Sequence, residues 1–251
     1  MAGHSHWSSI KHKKKKEDKR RGKLFSKLSK QIMSAVRRGG KDPETNLELQ
    51  WAIEDAKDAD MPKDNIERAI LKGAGELEGQ KVEAVRYEGY GSGGAAVMVD
   101  ALTDNRNRTS AAVRKAFDKH GGKLGTNGCV DWMFETKGLI VIDADKMGEE
   151  ELFELAVEAG VEEFEQAGDV YELTCPVDDF TDVRQVLEEK DIDFESAEIT
   201  EVPRSYTDLE VSDARKVVAM MEELEDNDDV SKVHSNFNLP EELTEELQKA
   251  S

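Results

Sequence analysis

The chain has 251 residues, 36% of them charged, and a formal net charge of −20. Its length allows two or three small domains, and its longest apolar runs, such as Leu139–Ile142, fall far short of the ~18 residues that span a bilayer. So negative a total argues against a polyanionic partner, until the charge is followed along the chain.

Residues 1–41 hold fourteen Lys or Arg against two acids, a net of +12, and the remainder carries −32. This is the pattern of a basic arm on an acidic body. The opening MAGHSHWSSIKHKKKK has no apolar core behind its charges, so it does not read as a secretory signal and a cytosolic location is expected. Residues 1–16 show no apolar periodicity, and the like-charged run Lys13, Lys14, Lys15, Lys16 repels itself.

Glu17 to Arg38 reads as a helix. At ~100° per residue, Leu24, Phe25, Leu28, Ile32, Ala35 and Val36 share one face, and Lys19, Lys23, Lys27, Lys30 and Arg37 share the other. Gly39-Gly40 ends it. Asp42-Pro43 is expected to open a second helix carrying Leu47, Trp51, Ile53 and Ala56 inward, with Asp as N-cap and Pro at the first helical position. A third short helix follows Met61-Pro62 with Ile66, Ala69 and Ile70, and the turn-rich Gly73–Gly79 closes the bundle.

The period then changes from 3.6 to 2. Strands are expected at Val82–Tyr90 and Ala95–Leu102, a helix at about Arg106–His120, and a strand near Cys129–Phe134. Next come strand Leu139–Ile142, helix Glu149–Ala159, strands Glu162–Gln166 and Val170–Thr174, helix Asp179–Lys190 and strand Phe194–Val202, which is the βαββαβ order of a ferredoxin-like plait. A helix at Ser212–Glu225 and a strand at Ser231–Asn236 have no partners nearby. They find some only by returning to the sheet of residues 82–134.

The expectation is an α+β chain: a basic arm and helical bundle over 1–78, a middle domain made of 79–134 and 204–251, and the plait inserted over 135–203.

The blocks MAGHSHW, RGKLFSKL (Arg21–Leu28), GGKDPETN (Gly39–Asn46), YEGYGSGG (Tyr87–Gly94), DNRNRT (Asp104–Thr109), GGKLGTNG (Gly121–Gly128) and MFETKG (Met133–Gly138) resemble the YebC/PmpR family in order and across about half the chain. The resemblance implies a helical bundle followed by two α+β domains, the third inserted in the second. It implies a cytosolic probable transcriptional regulator that binds DNA. Mitochondrial relatives, described as translational activators of cytochrome c oxidase subunit one, and some bacterial ones point instead to the ribosome and to synthesis of proline-rich segments.

For function, the clustered cations Lys11, Lys13 to Lys16, Lys19, Lys23, Lys27, Lys30 and Arg37, with Arg38 beside them, point to phosphate neutralisation with counterion release. Such contacts position a nucleic acid without reading its sequence. Trp7 could stack on an unpaired base or cover an edge of the bundle. In DNRNRT, Thr103 or Asp104 is expected to cap the next helix, with Arg106 and Arg108 beside its free amides as an anion site. The alternative is that both arginines pair with local acids.

The glycine-rich segments match neither nucleotide-binding pattern, and Gly91–Gly94, between two strands, reads as hairpin geometry. His4, His6, His12, His120 and His234 are scattered, and pairs such as Asp228-Asp229 are common in so acidic a chain. Neither supports catalysis. Cys129 and Cys175, without C-x-x-C spacing, read as buried free thiols. Removal of Met1 would leave Ala2-Gly3-His4, which chelates Cu(II) or Ni(II) at any exposed terminus, but no metal or other cofactor is expected. The partners expected are DNA or ribosomal RNA, no membrane, and a protein docked on the acidic body.

Overall fold

Three helices form at the start of the described chain because each carries an apolar stripe that can close only against the other two. The computed structural model describes residues 19–78, 81–240, 242–244 and 246. Helix α1 (Lys19–Gly39) packs Leu28, Ile32, Ala35 and Val36 against Leu49, Ala52 and Ala56 of α2 (Leu47–Asp58) and Ile66 and Ala69 of α3 (Lys63–Gly73).

The second helix starts later than Asp42-Pro43 predicts. The Asp42 carboxylate accepts from the Glu44 amide at 3.0 Å and closes a local turn. The N-cap is Asn46, whose side chain accepts from Leu49 N at 3.1 Å and donates to the carbonyls of Ala35 and Gly40 at 2.9 and 2.7 Å. One buried amide thus ends α1 and begins α2. Trp51 leaves the bundle core and meets Phe180 edge-on, with centroids 5.6 Å apart.

The first sheet has the order β3-β1-β2-β9. Strands β1 (Glu83–Tyr90) and β2 (Ala96–Thr103) form an antiparallel pair. Helix α4 (Arg106–Lys119) leads to the two-residue edge strand β3 (Lys123–Leu124). On the other side of β2 lies β9 (Val230–Ser235), with a bulge at Asp100/Ala101. Helix α7 (Val211–Glu225) precedes β9 and packs on this sheet. A short parallel pair joins β8 (Thr207–Asp208) to β10 (Phe237–Asn238).

No strand forms at Cys129–Met133. The buried Glu88 carboxylate takes the N–H groups of Gly128, Val130 and Asp131, so they cannot enter a ladder. Residues Asp131–Met133 make a single 3-10 turn instead, and Cys129 is half-buried in the turn before it.

Between β3 and β8 the chain builds the second sheet: β4 (Phe134–Asp143), α5 (Glu149–Ala159), β5 (Glu163–Ala167), β6 (Val170–Cys175), α6 (Phe180–Glu189) and β7 (Ser196–Pro203), in strand order β5-β6-β4-β7. All its pairs are antiparallel, the ferredoxin-like arrangement. Strand β4 begins five residues before Leu139 and β7 two after Phe194. Ile140, Ile142, Leu173 and buried Cys175 face Leu152, Ala156, Phe180, Val183 and Leu187 of the two helices.

The two sheets differ in self-sufficiency. A fragment of residues 134–203 is expected to unfold cooperatively by itself, since every strand pair of its sheet lies within it. A fragment of 80–134 is not: ten of the sixteen residues in the first sheet's core come from Ala214 onward. Thermal melts followed by circular dichroism separate the two, and a cooperative melt of the shorter piece would overturn the expectation.

Candidate nucleic-acid interface

Lys23, Lys27 and Lys30 form one stripe of α1, and the structure brings that stripe against the end of α7. Lys23 Nζ reaches the Asp226 carbonyl at 3.1 Å and its carboxylate at 2.9 Å. Lys27 donates to the Glu225 carbonyl. Lys30 reaches the Asp228 carbonyl at 2.8 Å and Asp229 Oδ1 at 2.7 Å. The last carbonyls of a helix lack intrahelical partners and carry the negative end of its dipole. Lys23 and Lys27 cap that end, and Lys30 holds the turn that follows it. The Lys30 side chain is only 17% exposed in this position.

Arg37 likewise turns inward and donates to the Val82 carbonyl at 2.8 Å, and Arg38 pairs with Glu48. The Lys19 side chain, and Lys11 with Lys13, Lys14, Lys15 and Lys16, lie outside the described residues, as does Trp7.

Asp229 is the centre of the joint. Its buried carboxylate receives Lys30, the Arg108 guanidinium at 2.6 Å and the Thr109 hydroxyl at 2.8 Å. Its carbonyl accepts from Leu102 N at 2.7 Å. Burial alone would raise this carboxyl, but the hydrogen bonds from Lys30, Arg108 and Thr109 outweigh it and hold the group at about 2.

The DNRNRT segment therefore splits in two. The N-cap of α4 is Asn105, accepting from Arg108 N at 3.1 Å, rather than Thr103 or Asp104. Thr103 instead accepts from the Asn105 amide at 2.9 Å. Arg108 bridges Asp229 and Asp104. Arg106 stays 65% exposed, with Glu83 at 3.8 Å its ion-pair partner.

Over residues 5–76 the sequence matches the profile described as "TACO1/YebC protein N-terminal domain", and over residues 82–237 that of "TACO1/YebC second and third domain". The chain belongs to the TACO1/YebC family. A probable transcriptional regulatory protein of Dictyoglomus thermophilum is 49% identical over 248 residues, covering 98% of this chain and 100% of its own length. One of the same description from Natranaerobius thermophilus is 50% identical, covering 98% and 99%. The crystal structure of a conserved hypothetical protein from Aquifex aeolicus superposes with a TM-score of 0.86 at 50% identity, covering 94% of this chain and 98% of that one.

In this TACO1/YebC chain a cleft of about 730 Å³ lies where the bundle meets both sheets, lined by Trp51, Phe180, Arg86, Arg184, Lys232 and His234 among others. Its cations face acids. Arg86 binds Asp100 and Glu201 at 2.7 Å each, Arg184 binds Glu54 and Glu188 at 3.2 and 2.8 Å, and Lys232 binds Glu198 at 2.7 Å. Compensated charges give a phosphate little to gain there.

Two exposed cations that sequence reading passed over, Arg114 and Lys115, sit beside Asn107, Ser110 and Ala111 on the outer side of α4. Their signal was their place in a helix already delimited. Among the described residues no group of three His, Cys, Asp or Glu side chains is placed to hold a metal ion.

Proposed function

We propose that this TACO1/YebC chain is a non-catalytic, cytoplasmic, DNA-binding transcriptional regulator that holds phosphate with its basic N-terminal segment while the acidic α+β body serves as scaffold. The observation that carries the reading is the charge split, +12 in residues 1–41 against −32 in the rest, since clustering cations away from an acidic body favours polyanion binding at one end only.

Within the proposed contact set, Lys11, Lys13 to Lys16, Lys19 and Arg106 carry the phosphate contacts. Lys23, Lys27, Lys30, Arg37 and Arg108 are assigned to the joint between domains, because each already satisfies a carbonyl or carboxylate there. The exposed Phe153 and Val157 of α5, beside Glu149, Glu150 and Glu154, are the place on the body where a basic protein partner fits.

The second reading is a ribosome-associated translational activator that binds RNA and helps the synthesis of difficult segments. The exposed indole of Trp132 favours it, because stacking requires an unpaired base. Crosslinking of the chain to DNA in cells, set beside co-sedimentation with ribosomes at near-physiological salt, separates the two. DNA fragments recovered without ribosome association support the regulator, and ribosome association without DNA replaces it by the second reading.

The two arginines of DNRNRT are expected to part company. Arg106→Ala should weaken nucleic-acid binding and change stability by less than about 1 kcal/mol, as for an exposed pair. Arg108→Ala should lower the melting temperature through Asp229. Equal melting of both variants would remove Arg108 from the joint.

A further inference from the structure

Trp132 is 68% exposed, although Val130 and Phe134 on either side of it are buried. The loop that presents it is tied down. Glu88 of β1, itself buried, accepts from the amides of Gly128, Val130 and Asp131 at 2.7, 2.9 and 2.9 Å, and its carbonyl accepts from Gly125 N at 2.8 Å. A Cβ at Gly125 would lie 2.5 Å from Cys129 Sγ, and one at Gly122 would lie 2.7 Å from the Tyr90 carbonyl. Gly122 thus lies too close to the backbone of β1 to carry a side chain, and Gly121 and Gly128 hold the positive φ of 77° and 82° that the turns of this loop need.

Two aromatic rings converge on one acceptor: Trp132 Nε1 and the Tyr90 hydroxyl donate to the Cys129 carbonyl at 3.3 and 3.0 Å. With its one polar atom satisfied, the indole offers its π-faces. Lys123 is the cross-strand partner of Tyr90, is exposed, and forms no ion pair among the described residues. The acids of the loop are occupied, Asp131 by Arg86 and Glu135 by Arg204, each at 3.2 Å.

We propose that Trp132, Tyr90 and Lys123 form a stacking site for an unpaired base of a single-stranded nucleic acid, the indole taking the base and Lys123 the adjacent phosphate. A stacked base needs a fixed flat ring and a nearby cation, and little else. A protein hot spot needs a surrounding ring of contacts that excludes water, whereas the loop that presents this indole is itself exposed at Thr126, Asn127, Gly128 and Asp131. The proposal rests on the nucleic-acid reading above, but its residues are separate from the basic arm.

The test uses the full chain and fluorescence anisotropy with labelled oligo(U), oligo(dT) and a blunt DNA duplex. Trp132→Ala should weaken both single strands by about tenfold or more, Trp132→Phe should keep most of the affinity, and the duplex should be unaffected. Lys123→Ala should flatten the single-strand salt slope by about 0.7. With Trp7→Phe and Trp51→Phe, the remaining indole emission should be quenched as oligo(U) binds, a signal that a merely structural tryptophan does not give. Unchanged single-strand affinity in Trp132→Ala, an equal loss on the duplex, or no single-strand binding by the native chain each overturns the site. If duplex binding persists in that last case, only the stacking site fails. If nothing binds, the nucleic-acid reading fails with it.

Discussion

Asp229→Ala is expected to lower the unfolding free energy by about 3 kcal/mol, the scale for removing one partner of a buried ion pair. The loss exceeds that of an ordinary hydrogen bond because the substitution leaves Lys30, Arg108 and Thr109 facing an empty acceptor site. Asp226→Ala is the control: its pair with Lys23 is largely exposed, so its cost should stay within about 1 kcal/mol. Acid should reproduce part of the Asp229 effect. The folded carboxyl is depressed to about 2 from an ordinary 3.8, so its contribution of about 2 kcal/mol is complete above the ordinary value and is lost as pH falls towards 2. Urea titrations at pH 7 and pH 3 measure both quantities. If Asp229→Ala matches the native chain at pH 7, the joint between α1, α4 and the turn before β9 is ornamental.

The inserted plait was legible because its pairing is local. Each apolar run, from Leu139 to Val202, has its partner within about 65 residues, and helical and strand periods alternate in an order that few sheets accept. The return of α7 and β9 to the first sheet was legible by elimination, since Val217, Val218, Met221 and Leu224 needed a surface that nothing adjacent supplied. What the pattern does not contain is the use of a polar face. Periodicity separates Lys23, Lys27 and Lys30 from Leu28 and Ile32, but it is silent on whether the lysines meet water, phosphate or another helix end. Asp229 looked like one acid among fifty-five because its partners, Arg108 and Lys30, lie 121 and 199 residues away. The segment Cys129–Phe134 read as a strand for a related reason. Its apolar residues face the sheet, but Glu88, forty residues earlier in the chain, takes the amides that a strand would have used.

These placements also bear on how the body and the basic segment share their work. If α1 were held by its apolar stripe alone, the bundle could turn on the first sheet. The capping of α7 by Lys23 and Lys27, the hold of Lys30 on the turn after it and the bond from Arg37 to Val82 fix its orientation. Cations committed to that joint add little to phosphate binding, because a phosphate must displace a carbonyl or carboxylate that already holds them.

Deleting residues 1–16 is therefore expected to produce the largest functional change. The deletion removes five lysines and no acids, taking the formal charge from −20 to −25. If all five rest on duplex phosphates, the slope of log K against log [salt] should flatten by about 4 to 5, and affinity at physiological salt should fall by roughly a thousandfold. The loss should be similar for every DNA sequence, since lysine-to-phosphate contacts position without reading bases. Lys27→Ala makes the contrasting variant: it should lower stability through the end of α7 and leave the salt slope unchanged, where loss of a phosphate contact would flatten it by about 0.9. On the translational reading, the same deletion weakens ribosome co-sedimentation, while duplex DNA binds poorly to native and truncated chains alike. A truncated chain that binds DNA and ribosomes with native affinity and native slope would show that the charge split serves solubility. The phosphate contacts would then have to be sought on α4, at Arg106, Arg114 and Lys115.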